Sequence, residues 1–185
     1  VAGAGTGDQH GGARFLQAGV HLRVEAAVRA GGLDLPISID TRKAGVARAA
    51  LTAGAGIVND VAAFGFDPAL AGVAAAAQAP VILMHAKGDP VTMQNDPQYD
   101  DVLLDVFDFL AARVAVAEAA GIPRARIAVD PGIGFGKSLA HNLALLARLS
   151  LFHDIGVPVL LGASRKRFIG TIGASAGTIA GAEAA

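Results

Sequence analysis

IAVDPGIGFGK, residues 127–137, is the stretch on which the fold turns. A short apolar run ends at Asp130, and the chain then enters Pro131 and three alternating glycines, Gly132, Gly134 and Gly136, before Lys137. Glycines followed by Lys137 and Ser138 suggest a phosphate cradle, but the spacing excludes the known ones. A Walker A loop needs glycine where Pro131 stands, and the dinucleotide fingerprint G-x-G-x-x-G does not fit glycines at every second residue. Ile127 to Asp130 reads instead as a strand that delivers an aspartate to a tight turn poor in side chains.

Working outward, the same rhythm recurs. Ile37 to Asp40 (ISID), Ile57 to Asp60 (IVND), Val81 to His85 (VILMH) and Val159 to Ser164 (VLLGAS) are short apolar runs that end in polar residues, and proline precedes the first, third and last of these. Such runs suit parallel strands covered on both faces. Helix-length segments separate them: Lys43 to Ala53, Asp67 to Ala77, Tyr99 to Ala120 and Ala140 to Leu149. The third carries Val102, Leu103, Val106, Phe109, Leu110, Val114 and Ala117 at three- and four-residue spacing, the stripe of a packing face. Repeated strand–helix units give either a doubly wound sheet or a (β/α)8 barrel, and both place chemistry at the C-terminal ends of the strands.

The bulk composition narrows the function classes. A chain of 185 residues with 53% hydrophobic content is one domain's worth with ample core. Its 15 basic and 16 acidic residues leave no global field for nucleic acid or an anionic membrane. Without cysteine there is no disulfide framework, thiolate metal site or cysteine nucleophile, which suits a reducing cytoplasm. No apolar stretch reaches 18 residues and Val1 to Gly12 does not read as a signal peptide, so a cytoplasmic protein without membrane or nucleic-acid partners is expected. The abundant alanine and glycine read as compositional bias.

The strand exits supply a site inventory: Asp40, Asn59 with Asp60, Met84 with His85, Asp130, and Ser164 with Arg165 and Lys166. Taken singly, each has an ordinary explanation as a helix cap, a locally bonded histidine or a solvated lysine. Polar residues at all five exits together favour a ligand site. Asn and Asp can pair with a planar heterocycle, and Lys166 supplies a cation for a carbonyl or a departing anion. The five histidines show no zinc-ligand spacing, and no nucleophile elbow surrounds Ser164. From the residues alone, the chain reads as an α/β enzyme for a small heterocyclic or anionic ligand.

PISIDT (36–41), IVNDV (57–61), VILMH (81–85), DPGIGFGK (130–137) and GASRKRFIG (162–170), in that order, closely resemble dihydropteroate synthase over about residues 35–170. The resemblance implies a (β/α)8 barrel that joins 4-aminobenzoate to (7,8-dihydropterin-6-yl)methyl diphosphate in folate biosynthesis, with Mg2+ assisting diphosphate departure. It also implies a homodimer and a target of sulfonamides. The positions matching the family's pterin pocket are Asp40, Asn59, Met84, Asp130, Gly162 and Lys166. By the same resemblance, Asp130 and Asn59 hold the pterin edge and Asp40 stabilises a cationic pterin methylene. Lys166 spans both substrates and Phe135 packs on the aminobenzoate, which makes Asp40 and Lys166 the catalytic pair. An aniline nitrogen is neutral at pH 7, so no strong general base is required.

Departures from the family are equally visible. Its first two strands, with a magnesium-binding Asn loop and a Ser-Thr-Arg-Pro-Gly loop, do not appear before Pro36, and its last strand's Arg-x-His does not appear in TIGASAGTIAGAEAA. The expectation is therefore an incomplete barrel, about strands three to seven of eight, with the metal ligands unassigned. Its parts would be an atypical segment 1–32 with a helix from Ala13 to Ala30, a core over 33–170 and an Ala/Gly-rich tail over 171–185. Two other readings stay open: an inactive pterin-binding remnant, and a pterin-dependent methyltransferase domain, which shares the barrel and the Asp and Asn exits but lacks the paired DPGIGFGK and SRK signature.

Overall fold

The computed structural model describes residues 35–88, 97–164, 166 and 168–170. The segments expected over 1–32 and 171–185, including the helix from Ala13 to Ala30, lie outside the described residues, as do Arg165 and Arg167.

Four of the apolar runs are strands, β1 (Ser38–Asp40), β2 (Ile57–Asp60), β3 (Val81–Met84) and β4 (Ile127–Asp130). All pair in parallel and in chain order, β1-β2-β3-β4. This order separates the two architectures left open by the pattern. A doubly wound sheet reverses its strand order at a switch point, whereas a barrel wall adds each strand beside the last. The described residues form an arc of the (β/α)8 type. Register sets Asp40 opposite Asn59 and Met84 opposite Asp130, so the exits line up along one rim.

The fifth run differs from its expectation. Val159 makes an isolated parallel bridge to Val129, and Leu160 N–H donates to the Val129 carbonyl at 2.8 Å, but no ladder extends along Val159 to Ser164. Gly162 offers no side chain to pack in this run, and no strand pairs on its far side among the described residues.

Helices α1 (Ala44–Thr52), α2 (Ala69–Ala76), α3 (Val102–Ala119) and α4 (Leu139–Ala147) form the covering layer. Along α3, Val106, Leu110, Val114 and Ala117 are at most 1% exposed and face the buried strand residues Val81, Leu83, Ile127 and Val129. Burying a Val or Leu side chain contributes about 1.5–3 kcal/mol, so this seam is the main tie between layers. Ala47, Ala50 and Ala74 are equally inaccessible and Ala71 is 4% exposed, which gives much of the alanine a packing role between α1 and α2.

Caps locate the helix starts. Asp101 Oδ1 accepts from Leu103 N–H at 2.8 Å and Leu104 N–H at 3.2 Å, so α3 begins after Tyr99 rather than at it. Ser138 and His141 bond reciprocally at the start of α4. Lys43 offers α1 no side-chain cap, and Asp67 from the β2–α2 turn takes the place by accepting from Ala44 N–H at 2.8 Å.

Candidate active site at the strand exits

The β1 and β2 exits meet through side chains. Asn59 Nδ2 donates to Asp40 Oδ1 at 2.7 Å, and Thr41 N–H donates to the Asn59 carbonyl at 3.0 Å. Both Asp40 and Asn59 are partly exposed. Asp60 is not part of this pair. Successive strand residues face opposite sides, and Asp60 is 0% exposed, with its oxygens accepting from Ala62 N–H at 2.8 Å and Phe64 N–H at 2.7 Å. Burial raises its carboxyl above the usual range, against the pull of those amides and of Arg42 and Arg113. Asp60 therefore shapes the turn after β2, a correction to its place among the converging exits.

His85, expected beside Met84 at the mouth, is also inside. It is 5% exposed, its N–H donates to the Asp130 carbonyl at 3.0 Å, and its ring stands edge-on to Phe109 with centroids 4.9 Å apart. Burial and the nearby Lys137 lower its pKa to about 3, so it is neutral. Met84 is buried beneath the glycine turn.

The glycines of the turn after β4 are of two kinds. Gly132 (φ +69°) lies on the His85 carbonyl, where a Cβ would come to 1.8 Å, and Gly136 (φ +63°) lies on the Lys87 carbonyl, where a Cβ would come to 2.1 Å. Gly134 meets only the stem of Lys166, 3.2 Å from a Cβ. The alternation thus packs the turn against the exit of β3 at two points and leaves room for Lys166 between them.

Asp130 heads the turn, with Gly132 N–H donating to its Oδ1 at 2.7 Å. Gly162 stands beside the other oxygen, where a Cβ would be 3.6 Å from Oδ2. Burial raises the Asp130 carboxyl, while the Gly132 amide, Lys166 and Lys137 oppose the rise. Lys166 Nζ lies 4.0 Å from the centroid of the Phe135 ring, a cation–π contact. Burial lowers the Lys166 pKa and Asp130 partly restores it. Ser164 is exposed at the same rim.

The geometry joins Asp130, Phe135, Gly162 and Lys166 into one cluster around a buried carboxylate, and Asp40 with Asn59 into a second, on parallel strands of one sheet. A polar planar ligand with donors along one edge suits such acceptors, and the Phe135–Lys166 stack suits an anionic aromatic one. A groove of about 470 Å³ lined by Arg48, Thr52, Gly72 and Ala76 lies instead between α1 and α2, away from the strand exits.

Several supporting residues escaped the sequence reading. Asn142 is 3% exposed, accepts from Gly134 N–H at 2.7 Å and donates to the Ser138 carbonyl at 2.8 Å. Tyr99 Oη donates to the Gly136 carbonyl at 2.8 Å, beneath Lys87 at 4.4 Å from its ring. Lys137 is 3% exposed. These contacts span up to 52 residues and carry no local sequence signal, apart from the Ser138-x-x-His141 spacing that marks a helix start.

The arrangement has close parallels. A dihydropteroate synthase from a Synechocystis species is 48% identical over 140 residues, which is 76% of this chain and 48% of that protein. The structure of dihydropteroate synthase from Xanthomonas albilineans with 4-aminobenzoic acid superposes with a TM-score of 0.78 at 43% identity, covering 90% of this chain and 60% of that one. The same enzyme in complex with 7,8-dihydropteroate gives 0.75 at 44% identity, covering 83% and 55%. The chain thus spans about half the length of the curated relatives it matches. The family model described as pterin binding enzyme matches residues 21–184, taking in every strand exit described above, and the chain belongs to that family.

Proposed function

We propose that the chain carries the pterin and aminobenzoate sites of a dihydropteroate synthase. The observation that carries this reading is the buried Asp130 carboxylate with Lys166 stacked on Phe135 beside it, one group for each half of the product. Asp130 and Asn59 take the hydrogen-bonding edge of the pterin, Met84 lies beneath it, and Gly162 leaves space at the carboxylate. The C–O bond to diphosphate breaks with its electron pair leaving on the diphosphate. Asp40 stabilises the resulting cationic methylene, the amine nitrogen of 4-aminobenzoate forms the new C–N bond, and its proton passes to solvent. Lys166 faces both substrates, and Phe135 walls the arylamine.

Magnesium, which the family resemblance implies at the diphosphate, is not placed by these residues. Among the described residues no three His, Cys, Asp or Glu side chains converge, and no step here is routed through a metal. The whole protein is expected as a cytoplasmic homodimer; no helix among the described residues is long and apolar enough to cross a membrane. The relatives named above are dihydropteroate synthases, which favours condensation over methyl transfer. A second reading is pterin binding without turnover.

Dihydropteroate formation from both substrates with Mg2+, measured against pterin binding by the same protein, separates the two. Binding with turnover supports the synthase, binding without turnover supports the second reading, and no binding sinks both. Lys166→Ala should cut turnover at least about tenfold, about 1.4 kcal/mol of transition-state stabilisation, while leaving the unfolding midpoint nearly unchanged. Parallel loss of activity and stability would count against its role at the site. Sulfonamides, similar to 4-aminobenzoate in size and charge, should compete at Phe135 and Lys166.

A further inference from the structure

Lys137 follows the alternating glycines and has no part in the chemistry above. Its side chain is 3% exposed and runs back under the turn. The ammonium donates to His85 Nδ1 at 2.9 Å, to the Phe135 carbonyl at 3.0 Å and to the His85 carbonyl at 3.3 Å. In its charged form Lys137 has three N–H donors and no acceptor, so all three are used and the His85 proton then lies on Nε2. The His85 carbonyl is also the atom on which Gly132 packs. One cation therefore ties the exit of β3 to the peptide that carries Phe135.

Phe135 sits between two glycines, and its own N–H is held only within the turn, donating to the Gly132 carbonyl at 3.1 Å. Three side chains from separate parts of the fold hold the turn itself. Asn142 of α4 holds Gly134 N–H, Tyr99 ahead of α3 holds the Gly136 carbonyl, and Lys137 holds the carbonyl of Phe135 itself. Behind Lys137, the His85 imidazole is braced by Phe109. The ring so placed is the one that bears Lys166 at 4.0 Å.

We infer that Lys137 is a positioning residue: by bonding the Phe135 carbonyl to the His85 imidazole and carbonyl, it holds the Phe135 ring under Lys166 and sets affinity for the aromatic amine substrate without touching it. This rests on the assignment of Phe135 and Lys166 to 4-aminobenzoate made above. Burial pushes the Lys137 pKa down to about 7, with Asp130 raising and Lys166 lowering it, so the ammonium with its three acceptors is the dominant form below about pH 7 and the comparison is made at pH 6. Pterin binding should be largely spared, since Asp130 keeps the Gly132 amide and Lys166.

The test compares wild type with Lys137→Met, near in length and without donors, and with His85→Phe, which keeps a ring against Phe109 and removes the Nδ1 acceptor. Calorimetric affinity for 4-aminobenzoate should fall about tenfold in both variants, while affinity for 6-hydroxymethylpterin changes less than about twofold. Nitrogen NMR of wild-type His85 at pH 6, where Lys137 is charged and His85 neutral, should show the Nε2–H tautomer, and the preference should be lost in Lys137→Met. An equal fall for both ligands, unchanged aminobenzoate affinity, or an Nδ1–H tautomer in wild type overturns the inference. The last readout decides even if neither variant folds. Wild-type protein that binds neither ligand sinks the proposed function and this inference together, whereas wild-type binding with a symmetric loss in the variants sinks the inference alone.

Discussion

The turns after β2 and β4 do the same job with opposite materials. Each turns the chain sharply at a strand exit, each opens with a buried aspartate that accepts from the turn's own amides, and each uses positive φ. After β4 the positive-φ positions are glycines, whereas after β2 they are Ala63 (φ 47°) and Phe64 (φ 64°). The difference follows from what lies against the backbone. Gly132 and Gly136 each face a carbonyl where a Cβ would fall within about 2 Å of oxygen, by the distances of 1.8 and 2.1 Å given above. Ala63 and Phe64 are 0% and 2% exposed, so their side chains are core. Non-glycine residues at positive φ cost of order 1–3 kcal/mol, and in the β2 turn the Asp60 bonds, the burial of Phe64 and the Arg113 Nε donation to the Ala63 carbonyl offset that cost. Glycine in the β4 turn therefore serves close approach to a neighbouring loop more than backbone freedom.

Acid should separate the two turns most strongly. Behind the β4 turn, His85 has a pKa lowered to about 3 from 6.5, so the stability it contributes is full above 6.5 and is lost as pH falls towards 3. Asp60 in the β2 turn has a raised pKa, so the folded state holds its proton more tightly, and acid relieves rather than imposes a cost there. Asp130 shares that second sign and partly masks His85. Comparison with His85→Asn removes the masking: between pH 7 and pH 4, wild type should lose about 3 kcal/mol more than the variant in urea unfolding. Asp60→Asn should show the opposite differential slope. Equal pH profiles for wild type and His85→Asn would mean that His85 is not held neutral.

Gly132→Ala comes next in size. The new methyl would overlap the His85 carbonyl, and relieving that overlap must separate the turn from β3, at a cost on the order of 3 kcal/mol. Pterin affinity should fall with it, because Gly132 N–H is the amide that holds Asp130. Gly134→Ala is the internal control: its methyl meets the flexible Lys166 stem, and the destabilisation measured in the same denaturant series should be clearly smaller. Similar costs at the two positions would break the close-approach account.

Asp60→Ala sharpens the other side of the comparison. It leaves the buried Phe64 amide and the partly buried Ala62 amide without their acceptor, which costs about 1–3 kcal/mol, and ligand affinity measured under folding conditions should stay near wild type. A selective loss of pterin binding would return Asp60 to the mouth.

These two turns also mark how far the sequence could be read. Ile57–Asp60 and Ile127–Asp130 were delimited as observed, because two or three apolar residues closed by a polar exit recur between helix-length segments. The exits were legible too, since parallel register alone places Asp40 beside Asn59 and Met84 beside Asp130. Which way each exit residue faces was not. Asp60 and Asn59 are neighbours in sequence and serve opposite sides of the sheet, and only the strand's phase relative to the core decides between them. The partners of Lys137 were not legible either, because His85 comes to it from 52 residues away. The Val159 run was overread because an apolar pattern does not supply the partner strand on which a ladder depends.

The smallest expected effect tests the comparison most finely. Ala63→Gly relaxes a positive φ that alanine tolerates poorly, worth about 1 kcal/mol, and deletes a fully buried methyl group worth about the same, while adding flexibility to the unfolded chain. The first two terms nearly cancel and the third remains, so the unfolding free energy should fall by about 0.5–1 kcal/mol. Glycine then brings no gain in the β2 turn although alanine is costly at Gly132, two positive-φ sites separated by what their Cβ would meet. A gain above about 1 kcal/mol for Ala63→Gly would mean that φ strain rather than packing governs the β2 turn, and the glycines after β4 would need that explanation as well.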